Sequence, residues 1–579
     1  MAEESLERAG GDAASHPARA LDPSDAVAPP DRLDPAALDP AALALSEREA
    51  LAVAGNPGDG AALAAGLEPA ATSVLEGAAG RVLSNAAIQI AEKVVSYGCA
   101  LATLALTTRL LGAGPYGDYT IAVVFLSFFV LIADSGITTA GVREAARFPD
   151  RLQRIVDAAF SLKLGLGLLT YVAAVVIVSF LPYAPQVKLA TYGLAASWFL
   201  LSLGVTWDIV FQSRLRMEIL ALADLALKVC VALGIVALFW RAQVQTIDPN
   251  TLFFLVVLVT ALGNLAALLV RFVAARRMVR PRLRLDGAYA RMLLKISIPL
   301  GIFSVLGQIH YKADTILLSL LVPASDVAVY GVAYRVIDLL LVFFAVLVSV
   351  VFPVLARYAY QGGERYTRAV TRVMDAALSL ICPLALGTAL LAPGIVAILG
   401  GPAFASAALP LSILAGSIIF SLLNVFYTYL IIAKNGQSQL IWVVCINIVA
   451  NLALNYYAIP RYSYVGAAVA TDLTEGLGLV LAVVLANRMH RSLPSLGGLG
   501  KTLLACAAMA AAIVGAQRLD LFGALIPSTL ALVGLGALVY GAVLFAVGGV
   551  DPRVMEEVAR RVPMLRGHVN RLAARRGGQ

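Results

Sequence analysis

Apolar positions in this chain fall in long blocks and lack the short periods of a half-buried helix or strand. The blocks lie at residues 86–111, 119–137, 158–181, 189–211, 219–240, 252–274 and 296–321, then at 329–354, 374–399, 409–432, 440–457, 465–486, 503–516 and 521–545. About twenty apolar residues at about 1.5 Å rise cross a hydrocarbon core of roughly 30 Å. The pattern predicts an all-α integral membrane protein with about fourteen transmembrane helices, residues 503–516 being the shortest.

The polar residues between blocks set the orientation. Arg143, Arg147, Arg151 and Arg154 follow the second block, and Arg276, Arg277, Arg280, Arg282, Arg284 and Arg291 follow the sixth. Loops on the other side hold little more than Arg109, Lys188, Arg241, Arg461 and Arg518. By the positive-inside rule the basic side is cytoplasmic, and an even number of spans puts both termini there, in a multi-pass protein of the cytoplasmic (inner) membrane.

Composition agrees with the block pattern. The 579 residues are 60% hydrophobic and 14% charged, against the roughly 25% charged of soluble domains. The net charge of +8 sits at the ends of apolar runs and not on one polar face, so it argues for topology and against nucleic acid. The five cysteines lie inside apolar runs without metal-ligand spacing. Residues 1–80, rich in Ala, Pro, Asp and Gly, open without the apolar core of a signal peptide and read as a disordered cytoplasmic tail. Residues 551–579 alternate Arg with Val and Leu, which fits a basic amphipathic helix on anionic headgroups or a solvated positive tail.

Two lobes are expected. Leu110-Leu111-Gly112 leading to Tyr119-Thr120-Ile121-Ala122 is echoed by Leu320-Leu321-Val322 leading to Tyr330-Gly331-Val332-Ala333, each at the first outer turn of a six-helix set. Repeats of this kind characterise transporters whose site lies between them. The expected organisation is a first lobe at 81–275, a second at 276–490, two added helices at 491–550, and the two tails.

The same residues carry a resemblance. Leu106-Thr107-Thr108-Arg109-Leu110-Leu111-Gly112-Ala113-Gly114-Pro115-Tyr116-Gly117-Asp118-Tyr119, then Asp134-Ser135-Gly136, then Val142-Arg143-Glu144-Ala145-Ala146-Arg147 resemble the opening of a polysaccharide-biosynthesis flippase. The likeness continues through Ile298-Pro299-Leu300-Gly301, Lys312-Ala313-Asp314-Thr315, Phe352-Pro353-Val354 and Asn451-Leu452-Ala453-Leu454-Asn455 to Val465-Gly466-Ala467-Ala468, in order, over about residues 84–490. It departs at Ser463-Tyr464, where the family often has Gly after Tyr462's counterpart, and in the long N-terminal segment. That family belongs to the multidrug/oligosaccharidyl-lipid/polysaccharide (MOP) exporter superfamily. The resemblance implies a MOP/MATE-like fold of two six-helix lobes plus two extra helices around a V-shaped cavity that opens alternately to each side. It also implies a polyprenyl-diphosphate-linked oligosaccharide as cargo, with membrane lipids, a polysaccharide polymerase and glycosyltransferases as partners.

Charges inside the blocks nominate the site. A charge at the centre of a membrane helix costs about 2.5–3.5 kcal/mol, so the many in this chain should line a hydrated interior. Lys93, Lys163, Lys228, Lys312 and Arg335, with Arg109 at the outer turn, are the candidate contacts to an anionic diphosphate or its sugars. His310, Asp314, Asp338 and Asp224 are the candidates for coupling to H⁺ or Na⁺; His310 qualifies by its reference pKa of about 6.5. Asp224/Lys228, Arg335/Asp338 and His310/Asp314 each share a helix face and form local pairs in this reading. Lys312, about 200° around the helix from His310, has no such local partner and leads the cation candidates. The chain shows no catalytic triad, metal constellation or cofactor motif: Gly500-Lys501-Thr502 lacks the upstream glycine and the strand of a P-loop. The rival readings are a multidrug exporter of the same superfamily, which would favour an acidic cavity, and a membrane polymerase or glycosyltransferase, which would carry a sizeable catalytic loop.

Overall fold

The computed structural model describes residues 92–549 apart from 94, 277, 280–281, 283–285, 342–362, 433–435, 491–497 and 520–522. The N-terminal tail, the C-terminal basic segment, the beginning of the first span, the end of the eighth and the Phe352-Pro353-Val354 motif lie outside the described residues. Among the described residues the secondary structure is helical, without strands. Eleven helices are long and apolar enough to cross a membrane, and two more, residues 95–111 and 324–341, border on undescribed stretches. One of the eleven, Ser438–Met489, covers two of the expected spans.

The first group comprises α1 (Val95–Leu111), α2 (Ala113–Asp134), α3 (Ile137–Arg147), α4 (Leu152–Phe180), α5 (Pro185–Gly204), a short α6 (Asp208–Ser213), α7 (Met217–Val244) and α8 (Pro249–Ala275). The second comprises α9 (Gly287–Leu321), α10 (324–341), α11 (Gly363–Leu390), α12 (Ala392–Leu399), α13 (Ala408–Ile432) and α14 (Gln437–His490). The added helices are α15 (Leu499–Arg518) and α16 (Leu525–Ala546). Within the first group α7 packs on α8, and α5 on α8 and α2; within the second α14 packs on α13 and α9. α15 and α16 pair with each other against α11 and α12, and α2 meets α9 between the groups. Outward faces carry exposed large apolar side chains such as Phe180, Leu169, Trp442 and Leu538, as lipid-facing surfaces must.

Local chemistry fixes the joints. The outer turn is tighter than the sequence suggests: α2 starts at Ala113, where the apolar run begins only at Tyr119, and Gly112 alone turns the chain at φ 73°. Pro115 falls in the first turn of α2, where its missing N–H costs nothing. Asp248 caps α8 through the Thr251 N–H, and Asp286 caps α9 through those of Ala288 and Tyr289. At Gly117 a Cβ would stand 1.8 Å from the Ala324 carbonyl oxygen, so glycine lets α2 and α10 touch backbone to backbone. The chain breaks in the middle of α14 at Ser463, which takes φ 49°. Its hydroxyl donates to Asp326 Oδ2 at 2.5 Å, a bond that offsets part of the strain of a non-glycine residue there.

Candidate functional site

Helices α1, α2, α7, α9 and α10 enclose a cavity of about 580 Å³ lined by Glu92, Lys93, Ser96, Tyr97, Asp224, Lys228, Lys312, Arg335 and Asp338. It adjoins a second chamber toward the Gly112 turn, lined by Thr103, Thr107, Tyr116, Tyr119 and Thr260. Lys228, Lys312, Arg335 and Asp338 line both chambers and so form the neck between them. Cations from both helix groups meet there: Lys228 from α7, Lys312 from α9 and Arg335 from α10.

Pairing at the neck is incomplete. Lys312 Nζ lies 3.2 Å from Asp338 Oδ2 and sits over the rings of Tyr311 at 4.5 Å and Tyr334 at 4.6 Å. The Tyr311 hydroxyl also donates to Asp338. Arg335 reaches the same carboxylate only at 4.0 Å and stays 45% exposed. The half-buried Lys228 has no ion-pair or hydrogen-bond partner among the described residues. Its expected neighbour Asp224 is taken by Arg271, at 3.1 Å. Lys93, just before α1, pairs with Glu92 at 3.1 Å, and Glu92 accepts from Ser96 at 2.6 Å. The neck therefore has a surplus of positive charge in a partly desolvated space, which favours an anion.

Asp314 points away from the cavity. It is 3% exposed and accepts from Asn455 Nδ2 at 2.7 Å, Thr471 Oγ1 at 2.6 Å and Tyr330 OH at 3.1 Å. The Oδ1 atoms of Asn451 and Asn455 are buried without a hydrogen-bond partner in the described protein. The expected His310/Asp314 pair does not form; His310 Nε2 lies 3.6 Å from Glu475, which also accepts from Asn424. A four-residue spacing put both partners on one face, but carboxylates on other helices are better placed.

Two candidate cations stand apart from the neck. Lys163 is fully buried on α4, with Nζ 2.7 Å from Asp134 Oδ1 and 2.6 Å from Thr138 Oγ1, and it lines neither chamber. Arg109 donates to the Ile398 carbonyl at 2.8 Å and, more weakly, to that of Ala397 at 3.3 Å, while its neighbour Thr108 donates to Leu399 O at 2.7 Å. These bonds tie the end of α1 to the end of α12. Sequence reasoning missed Arg271, counting it with neither the spans nor the loops. It is 5% exposed on α8 and bridges Asp208 at 3.0 Å to Asp224. It also missed Tyr311 and Tyr334; the aromatic immediately before Lys312 was the available signal.

Residues 82–359 match the family model described as polysaccharide biosynthesis protein. Over 238 residues the chain is 28% identical to the "probable flippase AglR" of Haloferax volcanii, which covers 40% of this chain and 50% of that one. A second protein of the same organism, described as a low-salt glycan biosynthesis flippase, is 27% identical over 33% of this chain and 41% of its own. The chain thus spans about half the length, or less, of these curated relatives. Among solved structures it resembles the lipid II flippase MurJ in an inward closed conformation, with a TM-score of 0.64 and 14% identity over 80% of this chain and 98% of that one. It also resembles an inward-facing multidrug MATE transporter of the MOP superfamily, with a TM-score of 0.52 and 14% identity over 69% of this chain and 99% of the other. At such identities the likeness establishes the fold. Residues 82–359 are thus similar to the polysaccharide biosynthesis protein family, and the membrane body shares the fold of the flippase MurJ and of the MATE transporter.

Proposed function

We infer that this protein is a transporter that moves a polyprenyl-diphosphate-linked oligosaccharide from the inner to the outer leaflet by alternating access. The observation that carries the reading is the neck, where Lys312 and Arg335 approach the one carboxylate of Asp338 and Lys228 lines the same two chambers from a third helix. A diphosphate entering the membrane sheds water and needs compensating cations, and a lysine–arginine cluster supplies them. The headgroup rides through the two chambers while the isoprenoid tail stays among acyl chains. The basic loops and the start of α1 face the cytoplasm, so the chamber at Lys93 receives the cargo and the one at Tyr116 releases it.

Ion coupling fits the Asp314 cluster. A buried carboxylate that accepts from three neutral donors and pairs with no cation among the described residues leaves a charge for H⁺ or Na⁺ to neutralise, away from the cargo path. Asp224 and Asp338 are engaged with cations and fit the role less well. A multidrug exporter for cationic compounds suits this neck poorly, since its positive charges repel such cargo.

The test is flipping in proteoliposomes loaded with a lipid-linked oligosaccharide diphosphate. The Lys312→Gln, Arg335→Gln double variant should lose at least about tenfold in rate, the equivalent of about 1.4 kcal/mol. An unchanged rate overturns the cationic-neck reading.

A further inference from the structure

We propose that Asp338 is an internal stand-in for the cargo's phosphate: it occupies Lys312 and Arg335 when the neck is empty and is displaced when an anionic headgroup arrives. The proposal rests on the diphosphate reading and adds the residue that sets how tightly the neck holds its cargo.

The carboxylate stands where a phosphate oxygen would need to stand, at the junction of the two chambers and open to both. Two side chains donate to it, Tyr311 OH and Lys312 Nζ at 3.2 Å, and Arg335 Nη1 lies 4.0 Å away. A tetrahedral phosphate accepts from several donors in the same manner. The grip is uneven. Arg335 is too distant for a hydrogen bond and remains half exposed, so its guanidinium can receive a second anion without first breaking a good bond.

Lys312 is held by more than the carboxylate. Its ammonium lies over two tyrosine rings, Tyr311 and Tyr334, and Tyr334 OH is itself anchored to the Tyr311 carbonyl at 3.1 Å. Cation–π contacts therefore keep the ammonium in position when Asp338 lets go. Lys228, which has no partner among the described residues, lines the same neck from α7 and supplies a further cation to the incoming group.

Without a stand-in, the partly hydrated neck would hold Lys228, Lys312 and Arg335 with no carboxylate among them, and a diphosphate would leave slowly. With it, cargo binding exchanges one anion for another. Asp338 thus lowers affinity and allows release.

The experiment titrates inorganic pyrophosphate against the full chain in nanodiscs, following binding by calorimetry and by melting temperature. Asp338→Asn keeps the Tyr311 hydrogen bond and removes the competing charge; it should bind pyrophosphate about tenfold more tightly than the unmodified protein. Asp338→Glu should bind like the unmodified protein. In a Lys312→Gln background the Asp338→Asn gain should shrink, because the two side chains act through one contact. Where Asp338→Asn lowers the melting temperature, pyrophosphate should restore it by a larger shift than it gives the unmodified protein. Equal or weaker binding by Asp338→Asn overturns the stand-in role; if Lys312→Gln still weakens binding, the diphosphate reading survives. If pyrophosphate binds none of these proteins, both fall.

Discussion

Two lysines placed by the sequence in one candidate set sit in opposite surroundings. Lys163 is sealed: its ammonium meets Asp134 and Thr138, and no part of it reaches solvent. Thr138 in turn donates to the same Asp134 oxygen at 2.5 Å, closing the site on itself. Lys228, half-buried at the neck, has no partner among the described residues and faces a cavity. The contrast separates two uses of charge in a membrane protein. A saturated pair whose cation is fully buried joins helices, here the end of α2 and the start of α3 to α4. A cation left short of partners beside water is kept for something that arrives.

Substitutions that remove charge separate the two sites. The largest effect is expected at Lys163→Met, which leaves the partly exposed Asp134 without its cation and should cost on the order of 1.5–3 kcal/mol of stability. A fall in melting temperature and yield in detergent reads this out, and adding Asp134→Leu should recover much of the loss. If Lys163→Met melts like the parent, the sealed pair is not structural. At the neck, the Lys312→Gln, Arg335→Gln variant should slow flipping by the tenfold given above; adding Asp338→Asn, which removes the carboxylate left without its cations, should restore melting temperature without restoring flipping. Lys228→Gln has no pair to break, so its stability should stay within about 0.5 kcal/mol of the parent while flipping falls a few-fold. The smallest effect belongs to Arg109→Gln. Its guanidinium is exposed and bonded only to carbonyls, so both stability and flipping should change little; a large loss of flipping would make the α1–α12 tie part of the transport path.

Much of the fold was legible because a bilayer sets a length. The blocks at 158–181, 252–274 and 409–432 became Leu152–Phe180, Pro249–Ala275 and Ala408–Ile432. The early start of α2 was hidden because Gly114 and Pro115 read as turn residues, yet both are tolerated in a helix's first turn. The sites were less legible. In a helix apolar on every side, periodicity does not say which face meets a cavity, so Lys163 and Lys228 looked alike. Partners across helices were invisible for the same reason. Lys312 finds Asp338 on α10, and Asp224 finds Arg271 on α8, where only neighbours three or four apart could be read from the sequence. Asn451 and Asn455, four apart, give no sign in the sequence of the carboxylate that Asn455 meets on another helix, Asp314.

The central claim is that the neck's cations stand in water between two helix groups, ready for a diphosphate. Labelling of Lys228→Cys by a membrane-impermeant thiol reagent tests it most directly, in a chain whose five native cysteines are replaced by serine. The account expects labelling in membranes, slowed by a prenyl diphosphate added at saturating concentration. A thiol that stays unlabelled in folded protein, or is labelled at the same rate with and without the diphosphate, contradicts it.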